Sequence, residues 1–150
     1  MEQQYSKLLE TAQAVIKGYE KWDIDAIMAP RTPDCTYHTL PKSLNRPVMN
    51  NEAFRAHYTG VIPYLRNFRV AISDTVIDIK TNQVAFHTTS TAETVIGPYE
   101  SEQTIFLKMT EDGTKICEMK EFLDSALVQG LFADLAKYIE NGGKPIGEAK

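Results

Sequence analysis

The sequence predicts an α+β domain, and three observations carry that reading. Over residues 3–20, Leu8, Leu9, Ala12, Val15, Ile16 and Tyr19 recur at three- and four-residue steps, the mark of an amphipathic helix. From about Asn67 the period changes to two, and four alternating segments follow at 68–80, 83–95, 99–110 and 115–123. Turn chemistry at Thr81-Asn82, Gly97-Pro98 and Glu111-Asp112-Gly113 separates them. Connections this short make sequential strands antiparallel neighbours. Third, a last apolar stripe of Ala126, Leu127, Leu131, Leu135 and Tyr138 predicts a closing helix over 124–138.

The remaining elements follow in order. Gly18 weakens the end of the first helix. Asp23 caps a short second one carrying Ile24, Ala26, Ile27 and Met28, and Pro30 stops it. Pro33 and Pro41 bracket an extended segment. In it Cys35, Tyr37 and Thr39 share one face, and Asp34, Thr36, His38 and Leu40 the other. Residues 41–49 form a proline-containing loop. Asn50 or Asn51 caps a third helix that ends at Gly60 and aligns Phe54, His57 and Tyr58 on one side. The tail from about residue 141, NGGKPIGEAK, is little apolar and is expected to be a mobile end. One domain is expected, with no repeat and no internal boundary. A long meander must twist and curl. With helices across its concave side it encloses a cavity.

Composition narrows the function classes. Hydrophobic residues make up 43% of the 150-residue chain and charged residues 24%, ordinary for a soluble globular domain. A net charge of -4 with scattered Lys and Arg argues against a nucleic-acid partner. No apolar run approaches the roughly 20 residues of a membrane span. The polar start MEQQYSKLLE is not a signal peptide, so a cytoplasmic protein is expected. Cys35 and Cys117 show no disulfide or redox spacing. No HxH, HExxH or HxxxE spacing occurs, so no metal site is expected. A GxSxG elbow and a glycine-rich phosphate loop are both missing.

The chemistry concentrates in KICEMKEFLDS, residues 115–125. Glu121 shares its strand face with Cys117, Met119 and Leu123. A charge on an apolar face needs a partner or a function. The bland reading is an ion pair with Arg31; the functional one is a proton carrier whose affinity is raised by burial. Asp124, just before Ser-Ala-Leu, is either a helix N-cap or a second carboxylate at the site. His38 is a proton relay or a half-exposed strand histidine. His57 reads first as a packing residue of the third helix, and His87 lies in line with Ala85, Thr89 and Thr91. Tyr37, Phe54, Tyr58, Tyr64, Phe68, Phe106 and Phe122 suit either an apolar substrate or an ordinary core. Arg55, Arg66 and Arg69 hold a substrate ester or form a solvated rim.

A family resemblance joins these residues. It runs from Arg31 through Pro33-Asp34-Cys35, Leu40-Pro41-Lys42-Ser43-Leu44, Pro47, Asn50-Asn51-Glu52 and Phe54-Arg55. It resumes at Ile96-Gly97-Pro98-Tyr99 and at Gly113-Thr114-Lys115-Ile116, and closes on Glu121-Phe122 and Asp124-Ser125. In these residues the chain resembles the fungal SnoaL-like proteins of meroterpenoid and polyketide biosynthesis. The resemblance implies the cone of the nuclear-transport-factor-2-like (NTF2-like) fold. It also implies a homodimer and a cofactor-free enzyme that rearranges terpenoid rings by isomerisation, lactone hydrolysis or transfer, or orthoester-type closure. By resemblance Asp124 takes the acid/base place of the bacterial polyketide cyclases, and His87 is the nearest match for their assisting histidine.

The expectation is therefore an isomerase or cyclase of a polycyclic fungal meroterpenoid intermediate. Glu121, His38, Asp124 and Tyr64 would be its catalytic groups. Arg31, Tyr37, Phe54, Tyr58, His87 and Phe106 would be substrate-binding. The alternatives are an accessory subunit that pairs with a paralogue, or a dehydratase or hydrolase of a smaller polyketide.

Overall fold

The computed structural model describes residues 1–147. Helix α1 (Glu2–Lys21) buries Leu8, Ala12, Val15, Ile16 and Tyr19, the predicted stripe less the half-buried Leu9. Its glycine has a packing reason. A Cβ on Gly18 would sit 2.6 Å from the Ala26 carbonyl oxygen, so α2 (Ile24–Met28) packs directly on the α1 backbone there. The Asp23 side chain caps α2 by accepting from the Ala26 N–H. Strand β1 (Arg31–Leu40) leads through a loop to α3 (Asn51–Val61), which Asn50 caps.

The meander is β2 (Leu65–Asp78), β3 (Gln83–Thr94), β4 (Gly97–Met109) and β5 (Ile116–Leu123). Helix α4 (Ser125–Glu140) follows at once. The sheet order is β1-β5-β4-β3-β2. Each consecutive pair of the meander is antiparallel, whereas β1 lies parallel to β5 at the edge. This register sets Tyr37 beside Met119 and Thr39 beside Glu121. The long connection through α3 and the meander makes the parallel pairing possible.

Bulges curl the sheet. In β2 the register slips between Arg66 and Arg69 and again between Ile72 and Asp74. Between β4 and β5, Met109 pairs with Ile116 and Lys108 with Glu118, which leaves Cys117 as the extra residue. That bulge turns both Ile116 and Met119 inward, and both are buried. The inner rows of β3 and β4 (Val84, Phe86, Thr88 and Ser90; Ser101, Gln103, Ile105 and Leu107) are buried against the helices.

Two expectations change. The inward stripe of α4 keeps the predicted Leu131 and Leu135 but joins them with Val128 and Phe132 in place of Ala126, Leu127 and Tyr138, and Leu127 is 37% exposed. The segment is apolar on two overlapping stripes, so periodicity alone does not choose the phase. The tail is also tied down as far as it is described: Gly143 N–H donates to Tyr138 O, Tyr138 Oη to Lys144 O and Ile146 N–H to Pro63 O. The rest of the expected mobile end, residues 148–150, lies outside the described residues. Among the described residues no helix is long and apolar enough to cross a membrane.

Candidate functional site

Between the inner sheet face and the helices lies a cavity of about 300 Å³. Its floor carries a short polar row in apolar surroundings: Thr39 of β1, Glu121 of β5, Gln103 of β4 and Ser90 of β3. Its wall is aromatic, with Tyr19 of α1, Tyr37 of β1, Tyr58 of α3 and Tyr99 of β4. Val128, Phe132 and Leu135 of α4 close one side, and Arg46 and Pro47 of the β1–α3 loop stand beside them.

Glu121 is the centre of this geometry. The Tyr37 hydroxyl donates to its Oε1 at 2.6 Å, a short charge-assisted bond. Phe54 backs Tyr37 at 5.2 Å between ring centroids and Tyr58 at 4.7 Å, and Tyr19 meets Tyr58 edge-on at 5.6 Å. Burial pushes the Glu121 carboxyl above the usual carboxylate range, and the Tyr37 bond partly offsets the shift. Burial and the neighbouring Glu121 charge hold Tyr19, Tyr37 and Tyr58 well above the ordinary tyrosine value. Tyr99 rises to about 12 for the same reasons. The site thus pairs one proton-accepting carboxylate with phenols that stay protonated and donate. His57 lines the cavity against Phe132, at 5.8 Å between rings. Burial, then Arg46, lowers its pKa, which favours the neutral imidazole. Among the described residues no cluster of three or more His, Cys, Asp or Glu side chains is placed to hold a metal ion.

No family model matches the chain. Individual relatives do. It is 36% identical over 140 residues to austinoid biosynthesis cluster protein F of Aspergillus calidoustus, covering 91% of this chain and 80% of that one. The chain belongs to that fungal NTF2-like family of meroterpenoid biosynthesis. Solved structures of the same architecture agree. BvnE pinacolase of Penicillium brevicompactum superposes with a TM-score of 0.85 at 25% identity, over 90% of this chain and 98% of that one. PrhC of Penicillium brasilianum gives 0.83 at 27%, over 89% and 91%.

Within this family member the cavity gathers some expected residues and leaves others out. Glu121, Tyr37 and Tyr58 line it. His38 does not. It lies on the outer face of β1, 3.1 Å from the Thr36 hydroxyl and 3.7 Å from Glu118, because alternation sends it opposite Tyr37. Asp124 caps α4 by accepting from the Leu127 N–H at 3.3 Å, and it is exposed. Tyr64 packs in a helical turn against Tyr138, away from the cavity, with rings 6.3 Å apart. His87 sits on the outer sheet face, 3.1 Å from both Asp74 and Glu102, whose hydrogen bonds raise its pKa. Phe106 is on the same outer face, 40% exposed.

Arg31 and Phe54 are buried supports and not cavity lining. The guanidinium stacks 3.9 Å from the Phe54 centroid, and its Nε donates to Asn51 Oδ1 at 2.9 Å. Arg31 pairs with Ile116 at the far end of β5, so the expected ion pair with Glu121 does not form. Arg55 pairs with Asp25 and Arg66 with Glu93, both at the exposed rim.

The residues that sequence reading missed are Tyr19, Tyr99, Gln103, Ser90 and Arg46. Tyr19 was counted in the α1 stripe, which does not tell core from cavity. Gln103 and Ser90 had a usable signal: both are polar residues on the buried face of alternating strands.

Proposed function

We propose that the protein is an acid–base isomerase or cyclase that rearranges the ring system of a polycyclic fungal meroterpenoid intermediate without a cofactor. The observation that carries this is the Glu121–Tyr37 pair on the floor of an apolar cavity. Glu121 removes a proton from the substrate and returns it after the rearrangement, so the carboxylate is regenerated. Tyr58, held protonated, donates to substrate oxygen as negative charge develops there, while the Tyr37 hydroxyl stays on Glu121 and orients it. The aromatic wall excludes water and sets the ring system against the carboxylate. His57 stands near as a neutral base at the α4 side. Kinship with austinoid-cluster protein F supports the substrate class, and a structural relative named as a pinacolase supports a rearrangement.

The active form is a homodimer joined through the outer sheet face. Phe106 and Phe122 lie diagonally on neighbouring strands there, 40% and 49% exposed, an apolar pair that a second copy would cover. Glu118 and Lys120 flank them and pair with each other within the chain, 3.5 Å apart.

The test incubates the purified protein, with nothing added, with meroterpenoid intermediates of the austinoid type and follows products by mass spectrometry. Turnover is expected, and Glu121→Gln should lower it at least about 100-fold. Full turnover by that variant would sink the carboxylate mechanism. A chain inert alone but active with a paralogue would favour the accessory reading.

A further inference from the structure

Three buried side-chain atoms find no hydrogen-bond partner among the described residues: Arg31 Nη2, Ser101 Oγ and Gln103 Oε1. Arg31 is held by Phe54 and Asn51, and neither it nor Ser101 lines the cavity. Gln103 does line it, and the residue is only 7% exposed. Its amide nitrogen donates to the Ser90 hydroxyl, which fixes one end of the group. Its oxygen, an acceptor with two lone pairs, is left with nothing. A buried polar atom without a partner is costly, and native folds keep few of them.

Register places this acceptor next to the reacting pair. Gln103 faces Leu123 on β5, while Glu121 faces Ile105, so Gln103 and Glu121 are diagonal neighbours on one face. Such neighbours lie about 7–8 Å apart, within the span of two fused rings. The last torsion of a glutamine is broad, so the oxygen can lean toward a ligand while the nitrogen stays on the Ser90 hydroxyl.

We infer that Gln103 determines specificity by accepting a hydrogen bond from a hydroxyl carried by the substrate near its reacting carbon. This rests on the cavity being the substrate site. The ligand class is then a polycyclic terpenoid alcohol, not a ketone or a bare hydrocarbon at that position. A ketone oxygen set against Gln103 Oε1 would leave two acceptors facing each other, whereas the alcohol pairs with it.

The experiment reads binding, by quenching of Trp22 fluorescence, for 1-adamantanol, 2-adamantanone and adamantane. Trp22 lines the cavity and is the chain's single tryptophan. The wild-type chain should bind the alcohol about tenfold tighter than the ketone. Gln103→Leu should bring the two within about twofold while leaving adamantane affinity unchanged. Gln103→Met, closer in shape, repeats the test if the leucine variant folds poorly. Glu121→Gln should keep the alcohol preference, which separates this reading from the proton-transfer one. A preference that survives both Gln103 substitutions, that is absent from the wild type, or that vanishes in Glu121→Gln overturns the inference. Loss of turnover in Glu121→Gln is read separately, so either reading can fail alone.

Discussion

Glu121 carries a stability consequence along with its chemical one. Burial raises its carboxyl above the ordinary value, so the folded chain binds that proton more tightly than the unfolded chain. The stabilisation is full below the unfolded pKa and is lost as pH rises through the folded one. At neutral pH the ionised, desolvated Glu121 therefore weakens the fold. Glu121→Gln should melt at a higher temperature than the wild type near pH 7, with the gap closing toward about pH 4, read by calorimetry. Equal melting temperatures across that range would show that the carboxylate is not desolvated. Tyr37→Phe makes the opposite kind of change. It removes the bond that favours the charged form, so the acid limb of the pH–rate profile should move to higher pH. Glu121 was legible in the sequence because a lone charge on an apolar strand face is a local signal. Its partner Tyr37 was legible as a substrate-binding aromatic and a face-mate of Cys35 and Thr39, but not as the hydrogen-bond donor to Glu121. Alternation had already parted Tyr37 from His38; what it lacks is which face looks inward. His38→Ala should therefore leave turnover within about twofold of wild type, since surface changes are mostly small.

At the scale of elements, Asp124 caps α4 and does not line the cavity. Replacing an N-cap aspartate by alanine costs about 1 kcal/mol. In Asp124→Ala the first turn of α4 should fray, seen as faster amide exchange at Leu127 and Val128. Val128 walls the cavity, so KM should rise while kcat holds. A fall in kcat matching that of Glu121→Gln would return Asp124 to the chemistry. The strands of the meander were readable because period two is written in consecutive residues. The α4 face was not, since Leu127 and Val128 are both apolar and only packing chooses between them. The bulge at Cys117 was equally silent, because it depends on the partner strand.

For the molecule as a whole, the proposed homodimer can be tested at the outer sheet face. On that proposal the wild type should sediment as a dimer and Phe106→Asp as a monomer, because a charge placed in an apolar contact is expensive to bury. A dimer that survives would place the interface elsewhere. The cone itself followed from the order of elements, whereas the partner of β1 did not. The pairing of β1 with β5 is held by contacts between residues far apart in sequence, and no local pattern announces them. The hydrogen-bonded pair on the cavity floor straddles that pairing: Tyr37 and Glu121 are separated by 84 positions along the chain. Contacts of such long separation close a large loop and form slowly. A refolding chain can complete its hairpins while the site is still in two pieces. Competence then arrives only with the docking of the first strand onto the fifth, and catalytic recovery after dilution from denaturant should lag behind the return of strand signal.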